Sequence, residues 1–392
     1  MPPRPLNAYV DAVGAVDWDR RLFDSLIPLP DGTSYNAYLV RSEGRTALID
    51  TVDPAKRRVL LGNLAGVERL DYLIANHAEQ DHSGLIPDVL ARYPEAVLVC
   101  TPKAKGMLVD HLGITEGRIK TVADGETLAL GGVTFEFLHM PWVHWPETMV
   151  TYLRPAKILF SCDFFGAHAA QSDVFVHDES LIDLAAKRYY GEIMMPFRTS
   201  IQKHLARLSG LDIAMIAPSH GPVYADPVPI MAAYRDWASE TPKNEVVIPY
   251  ISMHGSTAIL VERLVSCLAG RAVRVQPFNL DDTDIGKLAV ALVDAATLVV
   301  GTPAVHIGPH PRVASVVFLA NALRPKLKFV SIIGSYGWGH KIVDQIAGLI
   351  PNLKVEVLPP IISRGLPKPA DLAAVDALAE TIAARHAALG LK

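Results

Sequence analysis

Ile74-Ala75-Asn76-His77-Ala78-Glu79-Gln80-Asp81-His82-Ser83-Gly84 places four potential metal ligands, His77, Glu79, Asp81 and His82, within six residues, directly behind the apolar run that starts at Asp71. Such a run reads as a buried strand, and the polar cluster marks its end. If the segment stays extended, residues 77, 79 and 81 send their side chains to the same side. Loops at strand ends are where functional groups collect. The plain alternative is a polar loop with scattered charges, and residues further along the chain weaken it.

Those residues are His144 in Pro141-Trp142-Val143-His144-Trp145-Pro146, Asp163 in Phe160-Ser161-Cys162-Asp163, and His220 in Pro218-Ser219-His220-Gly221-Pro222. Each lies close behind an apolar run, and each is flanked by Gly, Pro or Ser that suits a tight loop. Singly, each would be an ordinary hydrogen-bonded polar residue. Together they complete a two-metal ligand set. His139, His168 and His177 have no such partners and read as ordinary histidines.

Around this segment the first half, residues 1–243, mixes short strands with helices. Asn36–Arg41 and Arg45–Thr51 predict a hairpin across Ser42-Glu43-Gly44. Val133–Leu138, Met149–Leu153 and Lys157–Ser161 predict strands, and Ile86–Tyr93 and Leu181–Tyr190 predict helices. Residues 244–392 are more regular. Five strand–helix units succeed one another from Val246 to Leu389, which predicts a doubly wound, five-stranded parallel sheet. Pro249, inside the first of these strands, argues for an edge position. The boundary is expected at Thr241-Pro242-Lys243-Asn244.

Composition narrows the function classes. Net charge is −4 with no dense Lys/Arg block, which speaks against a nucleic-acid surface. The longest apolar stretch, near 288–300, is broken by Asp294 and falls short of the ~20 residues a membrane span needs. Cys100, Cys162 and Cys267 lie far apart. They suit a reducing cytoplasm and exclude an iron–sulfur or rubredoxin-type centre within these residues. The start of the chain lacks an apolar signal core, and its end at Lys392 leaves no room for a fused rubredoxin or reductase module. A cytoplasmic protein with an external electron donor is expected.

Three segments of the second half fall where strands end, the ligand-binding edge of an open α/β sheet. The first is Ser252-Met253-His254-Gly255-Ser256-Thr257, whose small and hydroxyl residues precede a helix N-terminus and resemble a flavodoxin phosphate loop. The second is Thr302-Pro303-Ala304-Val305-His306-Ile307-Gly308-Pro309. The third is Gly334-Ser335-Tyr336-Gly337-Trp338-Gly339, which offers two flat aromatic faces among glycines. Ser252 to Thr257, Thr302, Pro303, Ala304, Gly308 and Ser335 to Gly339 are therefore candidate flavin contacts. No separate site for a dinucleotide is visible, which favours FMN over FAD.

The pattern H-x-[HE]-x-D-H with a distant His, Asp and His resembles the metallo-β-lactamase fold. Glu79 stands where its zinc hydrolases carry His. With Tyr35-Asn36-Ala37-Tyr38 upstream and the flavodoxin-like half downstream, the whole chain resembles the flavodiiron proteins. A carboxylate is a hard anionic donor that favours iron over zinc relative to imidazole. The resemblance implies an N-terminal αββα metallo-β-lactamase-like domain and a C-terminal flavodoxin-like domain. It implies that His77, Glu79 and His144 hold one iron, Asp81 and His220 the other, with Asp163 bridging and His82 coordinating as well. Tyr190, in Arg188-Tyr189-Tyr190-Gly191, resembles a family tyrosine near the irons. Some members carry a His near Phe23-Asp24, and this chain does not; His340 stands where a smaller residue is commoner. The implied activity is reduction of dioxygen to water or of nitric oxide to nitrous oxide. Its electrons reach the diiron site through FMN from rubredoxin or a reduced deazaflavin, in a head-to-tail homodimer or a dimer of dimers. Two rivals are a zinc hydrolase fused to a flavodoxin domain and a non-catalytic FMN electron carrier.

Overall fold

Leu39-Val40, Leu48-Ile49, Leu73-Ile74 and Leu98-Val99 are apolar at consecutive positions, so both faces of their strands must be covered. The computed structural model, which describes residues 2–178 and 180–391, covers both. These strands belong to a seven-stranded sheet in the order Arg4–Pro5, Val10–Ala12, Tyr38–Ser42, Arg45–Ile49, Tyr72–Ile74, Val97–Cys100 and Ile119–Thr121. On one face Leu39, Leu48, Leu73 and Leu98 pack on Leu60, Ile86, Val89 and Leu108 from helices. On the other, Val40, Ile49, Ile74 and Val99 meet Phe135, Phe137, Leu153 and Phe160 of a second sheet.

That second sheet runs Thr127–Leu130, Val133–His139, Met149–Arg154, Ile158–Cys162 and Met215–Pro218. Its first four strands are antiparallel neighbours, and the last pair is parallel. The expected hairpin forms with Arg41 opposite Thr46 and Ser42 opposite Arg45. This is the sheet-on-sheet sandwich with outer helices that the sequence implied. Strand ends then set the site: His77, Asp163 and His220 each come within three residues of a strand's last residue.

The segment 181–190 is helical but not regularly so. Wide π turns, Ile182–Ala186 and Tyr190–Met194, flank one short α turn, Lys187–Tyr189. Each π turn takes an extra residue per turn and so rotates the side chains beyond it relative to a 3.6-residue wheel.

Packing divides the chain into two units, one up to Tyr190 plus Phe197–Ala238, the other Gly191–Pro196 plus the residues from Ser239 on. In the second unit the parallel order is Arg274–Asn279, Lys243–Tyr250, Ala295–Val305, Phe329–Tyr336, then a fifth position. This is the 2-1-3-4-5 order of a flavodoxin-like sheet. The fifth strand is interrupted and forms Glu356–Val357 and Ile361–Arg364, both parallel to Phe329–Tyr336. Pro249 does not mark an edge. Its strand is paired on both sides, with Pro249 opposite Phe278, while toward the third strand Pro249 has no paired residue between Val247–Leu298 and Tyr250–Gly301. A ladder that skips the residue without an N–H tolerates proline in an interior strand. Val246, Ile248 and Val299 pack under Leu260, Leu264 and Leu268 of the helix Ser256–Ala269 and Val375, Leu378 and Ile382 of the helix Pro369–Ala388.

The last helix also carries a buried histidine. His386 Nε2 lies 2.7 Å from the Thr297 hydroxyl and Nδ1 2.8 Å from Asn244 Oδ1. Burial pushes its pKa down to about 4. The folded protein thus keeps His386 neutral at pH values where the unfolded chain takes up a proton. Its contribution is intact above about pH 6.5 and is lost as pH falls toward 4. Between pH 7 and 4.5 the wild type should lose roughly 2 kcal/mol more unfolding free energy than His386→Gln. Equal pH dependence of the two denaturant curves would refute this.

Candidate metal centre

His77 sits in the loop after Tyr72–Ile74, and a buried network beneath it holds that loop. Asn76 N donates to Asp50 Oδ1 (2.7 Å) and Asn76 Nδ2 to Asp50 Oδ2 (3.1 Å), while the Thr151 hydroxyl donates to Asn76 Oδ1 (2.7 Å). Burial pushes the Asp50 pKa up to about 6. After Glu79 the chain turns into a single helical turn, Gln80–Ser83, in which Asp81 and His82 are buried. His144 arrives on the loop after Val133–His139, Asp163 directly behind Cys162, and His220 two residues after Pro218.

The seven side chains meet around one carboxylate. His77 Nε2 and His144 Nε2 lie 3.4 and 3.5 Å from Asp163 Oδ2, and each lies 3.1 Å from Glu79 Oε2. His82 Nε2 and His220 Nε2 lie 3.1 and 3.4 Å from Asp163 Oδ1; Asp81 offers Oδ1 to His82 at 3.4 Å and Oδ2 to His220 at 3.2 Å. The set therefore forms two pockets, His77–Glu79–His144 and Asp81–His82–His220, with one Asp163 oxygen turned to each. Within each pocket the donor atoms lie within 4.8 Å of one another.

Several of these atoms are close without being aligned. Both Asp81 oxygens, His82 Nε2 and Asp163 Oδ2 are buried and have no hydrogen-bond partner among the described residues. Buried polar atoms normally find partners. Donor atoms aimed at a shared point, rather than at each other, are what a metal requires. Imidazole and carboxylate together suit iron, and Glu79 adds the hard anion that zinc hydrolases lack there. The residues fit a pair of iron ions.

Electrostatics agrees. Burial opposes charge on His77, His82 and His144, yet the surrounding carboxylates outweigh it and push all three up to about 10: Glu147 and Glu79 at His77, Asp81 and Asp163 at His82, Asp163 and Glu79 at His144. Against the burial that would raise them, the imidazoles hold Glu79 and Asp163 well below the carboxylate range. The pockets are wells of negative potential that attract cations.

Several contributors were not singled out from the sequence. Glu147 Oε1 lies 2.6 Å from His77 Nδ1, and Ser34 O lies 2.7 Å from His220 Nδ1. Neither has a sequence signal beyond its neighbourhood. Tyr189, not Tyr190, reaches the centre. Its hydroxyl donates to Asp163 Oδ1 at 2.8 Å. Tyr190 packs 5.4 and 5.5 Å from the rings of Tyr234 and Trp237. The π turns around 187–189 rotate the helix face, so adjacent tyrosines exchange roles. His168, read as ordinary, is buried against His220 and Tyr189 (both 4.8 Å), with Nδ1 on the Thr33 hydroxyl (2.9 Å). Burial and the neighbouring His220 keep it neutral. His139 bonds the Val122 carbonyl, and His177 is exposed. The Phe23 ring lies 6.4 Å from His220. Burial, then Glu79 and Asp81, raises the Asp24 pKa. Cys162 is buried beside Asp163, and burial, then Asp163, pushes its thiol well above the usual value.

In the second unit all three candidate flavin segments sit at the carboxyl ends of Lys243–Tyr250, Ala295–Val305 and Phe329–Tyr336. The helix Ser256–Ala269 starts at Gly255 (φ +88°), which has no side chain to cap it; the Ser252 hydroxyl accepts the Ala258 N–H at 3.1 Å, and the N–H groups before it suit a phosphate. The Thr257 and Ser335 hydroxyls, 3.0 Å apart, tie the first segment to the third. Thr302 to Ala304 remain in their strand, which turns back at His306-Ile307 to pair with Gly308–Pro309. Space is open at Gly255, Gly337 and Gly339. Trp338 is 79% exposed and Met253 51%. His340 packs on Tyr336 at 4.6 Å. A helix start opened by glycine, hydroxyls and an exposed aromatic face fit a flavin mononucleotide.

The profile of the ODP family beta lactamases matches residues 33–221. A nitric oxide reductase of Moorella thermoacetica is 34% identical over 386 residues, 96% of each chain. A coenzyme F420H(2) oxidase of Methanothermobacter marburgensis is 34% identical over 325 residues, 79% of this chain and 80% of that one. The rubredoxin oxygen:oxidoreductase of Desulfovibrio gigas superposes with a TM-score of 0.94 at 29% identity, covering 99% of both chains.

Because protons and metal compete for His77, His82 and His144, metal uptake must release protons. Without metal, the ionised pairs stabilise the fold fully below about pH 6.5 and fade as pH rises through 10. Apparent iron affinity, measured against a competing chelator, should rise steadily from pH 6.5 to 8.5. A flat profile would contradict the assigned proton competition.

Proposed function

This chain belongs to the flavodiiron family, and from that membership we propose that it reduces dioxygen to water, nitric oxide to nitrous oxide, or both. His77, Glu79 and His144 hold one iron and Asp81, His82 and His220 the other, with Asp163 between them. Residues 1–243 carry this centre and residues 244–392 carry FMN. The observation that supports this most directly is that each oxygen of Asp163 faces its own three-ligand pocket.

When bound, FMN and the iron pair supply the electron transfer, four electrons and four protons for each dioxygen, or two of each for two nitric oxide molecules. The protein supplies geometry. Asp163 fixes the separation of the two pockets, and the Tyr189 hydroxyl holds one of its oxygens. Burial pushes the Tyr189 pKa well above the usual value, so it stays a donor. Ser34 O orients His220, while Trp145 packs edge-on to the His77 ring at 5.0 Å. Among the described residues no helix is long and apolar enough to cross a membrane.

Electrons come from an external donor, a rubredoxin or a reduced deazaflavin, the molecules in the names of the Desulfovibrio and Methanothermobacter relatives. A head-to-tail homodimer or a dimer of dimers completes the proposal, and Ser252 to Thr257, Thr302 to Ala304, Gly308 and Ser335 to Gly339 are its flavin contacts.

Purified protein should contain two irons and one FMN per chain and, once reduced chemically, consume at least one of the two gases. Asp163→Ala should lose iron from both pockets and abolish turnover, whereas His220→Ala should lose about one iron. Zinc in place of iron, or no turnover of either gas, would favour the hydrolase reading instead. Tyr189→Phe should keep both irons and lower turnover several-fold, and Tyr190→Phe should leave turnover near wild type. Equal losses in the two variants would contradict the assignment of Tyr189.

A further inference from the structure

The imidazoles of the centre differ in what stands behind them. His220 turns Nδ1 to a neutral carbonyl, Ser34 O at 2.7 Å. His82 Nδ1 is buried with no hydrogen-bond partner among the described residues. His77 Nδ1 meets a carboxyl group, Glu147 Oε1, at 2.6 Å, and both side chains are fully buried. The same oxygen accepts the Ala78 backbone N–H at 3.0 Å, so it is held from two directions. The backbone of Glu147 is fixed as well. Its carbonyl accepts the Thr101 hydroxyl (3.0 Å), and Thr101 caps the helix Pro102–Leu112.

A carboxylate behind a ligating imidazole fixes the tautomer with the proton on Nδ1, leaves the Nε2 lone pair for the metal and increases its donor strength. It also adds buried negative charge on one side only. The pocket of His77, Glu79 and His144 has Glu79, its share of Asp163, and Glu147 behind it. The pocket of Asp81, His82 and His220 has Asp81 and its share of Asp163, with a carbonyl behind His220; the buried Asp50, which faces His82 more than His77, turns its oxygens to Asn76 and touches neither imidazole. We propose that Glu147 is a positioning residue that makes the two irons unequal. The ion on the His77 side is held more tightly and favours the ferric state relative to its neighbour. This inequality rests on the ligand assignment of the proposed function.

The test uses the purified full-length holoprotein, loaded with iron-57, in wild-type, Glu147→Gln and Glu147→Asp forms. Gln keeps the shape and can still accept from Nδ1, but removes the charge; Asp keeps the charge on an arm one carbon shorter. Iron release to a chelator should show two phases in the wild type. Glu147→Gln should quicken the slower phase by about tenfold or more, leave the faster phase unchanged, and move the midpoint potential of the more tightly held ion in the positive direction. Glu147→Asp should fall between Gln and wild type. A purely structural anchor would speed both phases together and move no potential. Wild-type release rates and an unchanged potential in folded Glu147→Gln would overturn the inference. If Glu147→Gln does not accumulate, an unchanged slow phase in Glu147→Asp overturns it equally. Wild-type protein holding fewer than two irons would count against the ligand assignment itself, a separate outcome.

Discussion

Buried charge of one sign has to be balanced where it lies. Glu79, Asp81, Glu147 and Asp163 are gathered at one edge of the sandwich among imidazoles and aromatic rings, with little water to solvate them. Carboxylates packed this tightly repel one another and are costly to bury unless cations lie between them. In the metal-free protein protonated histidines fill that role, and the strongly raised pKa values of three of them measure the demand. Two metal ions meet the same demand with a fixed geometry. Asp163 is the shared element, because its two oxygens face different pockets.

The scaffold answers that constraint. Ligands drawn from four stretches of sequence must arrive within a few ångströms of one another, and only strand ends on a doubly covered sandwich hold loops so firmly. The Asp50–Asn76–Thr151 network shows the cost. A carboxylate with its pKa raised to about 6 and a positive φ is retained beneath the loop so that His77 starts from a defined position. Backbone strain of this kind persists where the surroundings over-determine it.

Much of this was legible in the sequence, for physical reasons. The ligand cluster at 77–82 stood out because polar residues of those types are rarely crowded directly behind a buried strand. The strand–helix alternation from residue 246 onward was clear because its apolar spacing is regular. The misses have equally physical causes. Tyr189 and Tyr190 are neighbours, and only the π turns decide which one points inward. Glu147 is distant in sequence from His77 and has no motif of its own, so only folding brings them together. His168 is uninformative as an isolated histidine, and its position against His220 is a purely tertiary fact. Pro249 misled because the rule against proline in interior strands assumes a regular ladder.

Cys162 carries a consequence of its own. A sulfhydryl one residue from the bridging carboxylate is at risk in a protein that handles dioxygen or nitric oxide, since the thiolate is the form that oxidants attack. Here the burial that packs the centre also keeps that sulfur out of solvent and disfavours its ionisation. Seclusion of that sulfur thus comes from the same packing that builds the pockets.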